Sequence, residues 1–174
     1  ELSLNEILAL DNLDQSLLKT SGTQLIWEKI PKWQNDDQEE TQRIIENASG
    51  DLKNYLSLYF HKFLDKSYVG QKKINIKVQG AYLKPIDPFL KSMNGYQEGA
   101  RQTQKSKDGE IEMQVHILPH DSNLSKEEMI EYQNLYLGQG LYIYRSKRLI
   151  LATGWQGISN VHQLGKLARV EINI

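Results

Sequence analysis

The spacing of the apolar residues changes near Gly70, and this change constrains the fold more than any other feature of the sequence. Before it, apolar residues recur every three or four positions, which predicts one buried stripe along a helix. The members of the stripe are Leu52, Tyr55, Leu56, Tyr59, Phe60, Phe63 and Leu64. After Gly70 the period falls to two, because Ile74, Ile76 and Val78 alternate with polar residues, which predicts a half-buried strand that ends at Gly80.

Five further segments show patterns that are typical of strands. Ile111–Ile117 shows the clearest alternation in the chain, and the runs Leu141–Tyr144 and Arg148–Leu151 predict a hairpin. Strands are also predicted over Gln24–Ile30 and Leu167–Ile174. Helical segments lie between these strands, so we expect an α+β fold with a mixed or antiparallel sheet backed by helices.

Local signals predict where helices begin and end. Acidic residues around Asp37 favour a helix N-terminus, and Ser125 with Glu128 three residues later is a capping box. Gly50 predicts a break between two helices, because glycine costs about 1 kcal/mol in a helix interior.

Two segments carry turn or loop signals. Asp87 followed by Pro88 is a helix-start signal that predicts only a short turn. Asn94–Gly109 is polar and carries three glycines, so it is predicted to be a loop in which Gln102–Lys105 is a solvated linker.

Composition excludes several classes of protein. The 174 residues carry 21 basic and 22 acidic side chains, so a formal net charge of −1 provides no overall field for nucleic acid or an anionic membrane. The absence of cysteine excludes disulfides, cysteine zinc ligands and a thiol nucleophile. The longest apolar runs fall far short of the roughly 20 residues of a membrane helix. We therefore expect a cytoplasmic protein without membrane contact.

A basic hairpin is the strongest candidate for a binding site that the residues alone suggest. Arg145, Lys147 and Arg148 lie beside Tyr142 and Tyr144, a combination that can hold phosphate and stack a base. The alternative is a solvated hairpin tip whose charges discourage edge-to-edge pairing of strands.

The histidines and glycines do not form a recognisable catalytic or metal site. His116 and His120 straddle a strand end, where a spacing of four does not bring two imidazoles together, and we interpret them as an exposed strand histidine and a loop histidine. No metal site and no phosphate-binding glycine motif are predicted.

The order of several short segments resembles the GHKL superfamily, which joins gyrase, the ninety-kilodalton heat-shock chaperone, histidine kinases and mismatch-repair ATPases. The resemblance spans about Lys19 to Ile174 and is closest to the bacterial, MORC-like and chaperone-like branch. The segments that carry it are Ser21–Thr23, Leu52–Leu64, Pro85–Phe89, Ile117–His120, Gly140–Ile150 and Leu167–Val170.

The resemblance implies three parts and a relay function. Residues 1–35 would be the end of the ATPase domain, 36–70 a connecting helical segment, and 71–174 a truncated transducer domain with a left-handed βαβ crossover. Gly22 and Thr23 match the positions that help hold adenine. Charge also changes along the chain, with 7 basic and 12 acidic residues up to Gly70 and 14 and 10 after it.

The family's magnesium-binding asparagine, water-activating glutamate, Asp-x-Gly-x-Gly stretch and phosphate-sensing lysine have no counterpart in the sequence. We therefore expect ATP and magnesium to be bound by a preceding ATPase domain of a longer parent protein. This segment would be catalytically silent and would couple nucleotide state to a homodimer or an effector. The alternative is a self-standing nucleic-acid-binding module that uses the hairpin over residues 141–151.

Overall fold

The computed structural model describes most of the chain after residue 36. The described residues are 37–68, 73–107, 109–129, 138–160 and 163–174, with Thr23, Leu25 and Ile30. The chain divides into two compact units, Glu1–Asn47 and Ala48–Ile174. Gly22 and nearly all of the strand predicted over Gln24–Ile30 lie outside the described residues. The domain boundaries at residues 35 and 70 stay predictions.

Helix α1, Gln38–Tyr59, begins with a capped first turn. The Asp37 carboxylate accepts a hydrogen bond from the Glu39 backbone amide at 2.9 Å, which confirms the predicted acidic start. The break predicted at Gly50 is wrong, because α1 runs through it. The cost of about 1 kcal/mol for one helical glycine is small beside the packing that anchors the C-terminal end of the helix.

The buried face of the helical segment is not the predicted stripe. A four-residue helix, α2, His61–Leu64, follows α1. The buried side chains are Ser57, Leu58, His61, Lys62 and Leu64. The stripe residues that are exposed or half-buried are Leu52, Tyr55, Leu56, Tyr59, Phe60 and Phe63. Of the predicted stripe only Leu64 is buried, and the face that carries His61 and Lys62 contacts the sheet instead.

Eight strands lie within the described residues. They are β1 Lys77–Val78, β2 Ala81–Tyr82, β3 Gln97–Glu98, β4 Gln102–Ser106, β5 Gly109–Ile117, β6 Gly140–Arg145, β7 Arg148–Ala152 and β8 Ala168–Asn173. The pair β1–β2 is a separate two-stranded sheet, and the main sheet has the order β3-β5-β8-β6-β7 with β4 also paired to β5. The α+β class with a mixed sheet is confirmed.

One strand pair in the main sheet is parallel. Strand β8 lies antiparallel to β5 and parallel to β6. The described residues that connect β6 to β8 form β7 and a 3-10 turn, Gln163–Gly165, whereas the resemblance implies a helical crossover.

The alternating patterns predict strands β5 to β8 correctly, whereas the predicted polar loop is in fact partly strand. Strand β5, the β6–β7 hairpin and β8 are confirmed. The loop predicted over Asn94–Gly109 is wrong, because β4 pairs with β5 from Gln102 to Ser106 and β3 pairs at its start. Residues 102–105 are exposed, so their polarity reflects a solvated strand rather than a linker.

Short-range signals are also confirmed. The Ser125 amide donates to Glu128 Oε2 at 2.8 Å and the Glu128 amide donates to Ser125 Oγ at 3.2 Å, which is the reciprocal capping box. Asp87 caps a short turn, since its carboxylate accepts from the amides of Phe89 and Lys91. The strand predicted from Ile74 to Gly80 is confirmed only over Lys77–Val78, which turns into β2 at Gln79 and Gly80.

The glycine pair at the start of β6 is a close backbone approach. Gly140 has φ of +121°, and a Cβ there would collide with the backbone of Gly154. The Leu141 amide donates to the Gly154 carbonyl at 2.9 Å. Glycine is therefore required at position 140 by this contact.

Two clusters of buried apolar residues form the core. The larger joins α1 to the sheet and contains Leu58, Phe89, Tyr142, Tyr144 and Leu149. The smaller contains Leu90, Met93 and Leu118. Among the helices described, none is both long and apolar enough to cross a membrane.

Candidate functional site

The face of the main sheet that packs against the helices carries polar side chains. Strand register places His116 of β5 opposite Arg169 of β8, and Tyr142 of β6 opposite Glu171 of β8. All four are buried, with His116 and Tyr142 both 0% exposed. Side chains two apart on a strand share a face, so Tyr144 joins this layer, and the sheet presents a buried polar surface to the helices.

Helix α2 contributes a lysine to this layer. Lys62 Nζ donates to Glu171 Oε1 at 2.5 Å and to Asn173 Oδ1 at 3.2 Å. The ammonium also lies 3.6 Å from the centroid of the Tyr144 ring. The side chains of Lys62 and Glu171 are 5% and 9% exposed, so this is a buried ion pair whose charges depend on each other.

His61, the neighbour of Lys62, makes the second helix-to-sheet contact. Its Nε2 lies 2.9 Å from the Tyr144 hydroxyl. Burial, with the charge of Lys62 as the next cause, lowers the pKa of His61 to about 3. The imidazole is therefore neutral at physiological pH and holds the tyrosine hydroxyl in place.

His116 connects Glu171 to the loop after the Asp87 turn. Its ring stacks on Phe89 with centroids 4.1 Å apart, and its Nδ1 lies 2.6 Å from the Tyr96 hydroxyl. Its Nε2 lies 3.2 Å from Glu171 Oε2, at ion-pair distance but outside hydrogen-bonding geometry. The interpretation of His116 as an exposed strand histidine is wrong.

The charges of this cluster stabilise one another. Burial alone raises the pKa of Glu171, yet His116 and Lys62 outweigh it and hold the pKa of this carboxyl below its ordinary value. Burial lowers the pKa of Lys62, and Glu171 opposes that effect. Lys91 adds a second cation, with Nζ 3.7 Å from Glu171 Oε2. Glu171 is therefore the charged centre that joins helix, loop and sheet.

A pocket of about 480 Å³ opens beside the buried ion pair. It lies at the edge of the sheet where β6 and β8 end and β5 begins. Its lining residues are Lys62, Tyr68, Arg101, Glu110, Glu112, Ser146, Lys147, Glu171, Asn173 and Ile174. Within the described part of the chain, no three side chains of histidine, aspartate or glutamate are grouped to hold a metal ion.

The structure separates the residues of the predicted basic-aromatic patch. Arg145, Lys147 and Arg148 are exposed at the hairpin tip, and Lys147 also lines the pocket. The two tyrosines point the other way, since both are 0% exposed, so neither can stack a base. The Arg148 guanidinium lies 5.1 Å from the centroid of the Phe60 ring.

The other predicted site residues lie apart from this cluster. Gly22 is outside the described residues, and Thr23 is exposed. His120 is exposed and caps a 3-10 turn, accepting from the Ser122 amide. The predicted site residues thus contribute one member to the pocket, Lys147.

The buried cluster has one sequence signal that the predictions missed. Strand β8 alternates Arg169, Glu171 and Asn173 with apolar residues. From sequence alone, polar and charged residues at alternate positions of a strand predict a face exposed to solvent. Their burial can be recognised only when their partners are known. Here the partners lie on α2 and β5.

Comparison of this chain with protein-family models, with curated proteins and with solved structures finds no match. The resemblance to the GHKL superfamily therefore remains a prediction from the quoted residues.

Proposed function

We propose that this chain is a relay segment that couples the nucleotide state of an ATP-binding domain to its own sheet, like the transducer of GHKL-type ATPases. The observation that supports this function is the C-terminal end of α1, which packs against the sheet: Leu58 belongs to the apolar cluster that contains Tyr142 and Tyr144 of β6.

The C-terminal end of α1 leads directly into the polar anchors. His61 and Lys62 follow Tyr59 within three residues, and they hold Tyr144 and Glu171 on two neighbouring strands. A shift of the helix that broke the Lys62 contact would leave a buried charge without its partner, which costs about 3–5 kcal/mol. Helix and sheet therefore move together, or switch between discrete arrangements, rather than slide gradually.

In this proposal ATP and magnesium are bound by a domain that precedes the relay in the parent protein. Gly22 and Thr23 would contribute to the adenine pocket of that domain. The relay segment supplies no catalytic group, since phosphoryl transfer depends on groups that position magnesium, water and the γ-phosphate. We expect this chain by itself neither to bind ATP tightly nor to hydrolyse it.

The test is hydrogen exchange of the full-length protein with and without ATP and magnesium. We expect the nucleotide to change exchange in α1 and in the β6–β7 hairpin. Lys62→Met should abolish the change in the hairpin while ATP affinity stays the same. Lys66→Met, an exposed lysine on the next turn, is the matched control and should respond like the natural protein.

Two results would overturn the relay. One is the absence of ATP binding by the full-length protein, and the other is ATP binding that leaves exchange in the sheet unchanged. Thr23→Ala separates the adenine assignment from the relay, because loss of a buried hydroxyl contact costs about 1–3 kcal/mol of affinity. Unchanged affinity would remove Thr23 from the pocket only. Sedimentation with and without ATP tests the predicted homodimer.

The nucleic-acid alternative is supported by the exposure of Arg145, Lys147 and Arg148. Because the neighbouring tyrosines are buried, only phosphate contacts are open to this hairpin. Such binding would fall steeply with salt. Fluorescence anisotropy of single-stranded DNA at low and physiological salt distinguishes the relay from the nucleic-acid-binding module. A relay segment should bind the DNA weakly at both salt concentrations. A phosphate-binding hairpin should bind it tightly at low salt and lose that binding at physiological salt.

A further inference from the structure

Among the described residues that line the pocket beside the buried ion pair, basic and acidic side chains are equal in number. Lys62, Arg101 and Lys147 line it, and so do three glutamates. It lies between two hairpins, since β4–β5 carries the glutamates of β5 and β6–β7 carries Lys147. Its volume of about 480 Å³ falls within the range of about 300–1,000 Å³ that small-molecule sites occupy.

Most of the charges in this pocket already have partners. Lys62 and Glu171 form the buried pair at 2.5 Å. Arg101 Nη1 lies 3.8 Å from Glu112 Oε1, and its other amino group donates to Gln114. The charges of these side chains therefore neutralise one another within the lining of the pocket.

Two charges of opposite sign remain. Within the part of the chain that the structure describes, Lys147 and Glu110 form neither an ion pair nor a side-chain hydrogen bond. Glu110 faces Lys105 in the β4–β5 register, yet the two do not come within the 4 Å of an ion pair. The described lining of the pocket thus presents one available cation and one available anion, on separate hairpins.

The backbone at the hairpin tip positions the available cation. Ser146 and Lys147 have φ of 47° and 69°, where residues other than glycine are strained. A two-residue turn of this kind usually contains Asn-Gly. Serine supplies a hydroxyl and lysine an ammonium, so both strained positions carry side chains that line the pocket.

We propose that this pocket binds a small zwitterion of the α-amino-acid type. Its carboxylate would meet Lys147 and the Ser146 hydroxyl, and its ammonium would meet Glu110. Tyr68 and Ile174 give the pocket apolar surface for the carbon skeleton of the ligand. A ligand with a single charge would satisfy only one of the two available groups. This inference does not depend on the relay, because it uses no nucleotide.

The test uses three probes that share one carbon skeleton. L-Leucine carries both charges, 3-methylbutylamine lacks the carboxylate and 4-methylpentanoate lacks the ammonium. Each is titrated into the isotope-labelled chain, with the amide resonances of Glu110, Ser146 and Lys147 as the readout. We expect leucine to bind about two- to fivefold more tightly than either single-charge probe, because an ion pair between exposed groups contributes at most about that factor.

Two variants assign the contacts. Lys147→Met should lower leucine affinity to that of the amine and leave the amine unaffected. Glu110→Gln should lower it to that of 4-methylpentanoate and leave the latter unaffected. Lys166→Met and Glu127→Gln change exposed residues outside the pocket and should leave all three affinities unchanged.

Equal affinities for the three probes, or leucine binding that neither pocket variant weakens, would overturn the proposal. Resonance changes confined to residues outside the pocket would do the same. Since both variants alter exposed side chains, loss of folding does not obscure the result. Failure here would leave the relay untouched, and failure of ATP binding would leave this site untouched.

Discussion

Replacing Glu171 by glutamine should destabilise the sheet-containing unit strongly. The substitution keeps the shape of the side chain and removes the charge that faces Lys62 at 2.5 Å, in a place where the lysine side chain is 5% exposed. Leaving a buried charge without its partner costs about 3–5 kcal/mol. We expect a loss of unfolding free energy of that order for Glu171→Gln.

The reverse change should cost less. In Lys62→Met, Glu171 keeps Lys91 at 3.7 Å and His116 at 3.2 Å, so its charge retains a favourable environment and we expect a loss of about 1–3 kcal/mol. The double variant should cost less than the sum of the two single variants. The difference, on the order of 0.5–3 kcal/mol, measures the coupling of the pair.

A urea titration at pH 7, read from the amide resonances of β8, reports on the unit that holds the pair. Glu112→Gln is the matched control, because its partner Arg101 lies at 3.8 Å and both side chains are well exposed, and it should cost less than about 1 kcal/mol. If Glu171→Gln costs no more than this control, or if the two single effects simply add, the buried pair does not stabilise the fold.

Three further changes test other features. The pKa of His61 falls from 6.5 to about 3 on folding, so the stability that the neutral imidazole contributes is complete above pH 6.5 and is lost as the pH falls toward 3. His61→Phe should therefore flatten the pH dependence of the unfolding free energy between pH 6.5 and 5, by up to about 1.4 kcal/mol per pH unit. Urea midpoints measured across this pH range will show the change. Gly140→Ala should cost more than about 1 kcal/mol in thermal unfolding, whereas Gly50→Ala, in open space on α1, should stabilise by about 0.4–1 kcal/mol. Phe89→Ala should cost about 3–5 kcal/mol, and the half-buried Phe60→Ala clearly less; equal losses would mean that the predicted stripe forms the core after all.

Patterns of residues that are close together in the sequence predicted most of the described strands. Alternation located β5 and β8, and the paired runs of apolar residues located the β6–β7 hairpin, because each pattern is complete within one short segment. The capping box at Ser125 was equally local. Strand β4 was missed because a strand whose side chains are solvated carries no apolar signal.

The buried face of the sheet could not be predicted by the same means. Alternation shows that a strand has two faces, and hydrophobicity then favours burial of the more apolar one. In β5 the opposite holds, because Val115 is 42% exposed and His116 is fully buried. On the buried face Glu171 pairs with Lys62, a partner 109 residues away in the chain, and no local pattern reveals such a partner.

Sequence analysis found a residue of the candidate site only where the residues that mark it are neighbours in the sequence. Lys147 stands out within the basic hairpin, whereas Glu110 is one of many exposed glutamates until the register of β5 brings it to the same pocket. The burial of Lys62 likewise depends on its partners in the sheet. Helical periodicity alone predicts that the aromatic residues, and not Lys62, lie on the buried face.

The position of β8 has a consequence for how the polypeptide folds as it is made. Among the strands that the structure describes, β8 is the last in sequence, yet it lies between β5 and β6. Until it leaves the ribosome, the hairpin β6–β7 has no sheet to join and the buried lysine of α2 has no counter-charge. Closure of the described sheet therefore has to wait for β8, because this strand alone joins β5 to the β6–β7 hairpin.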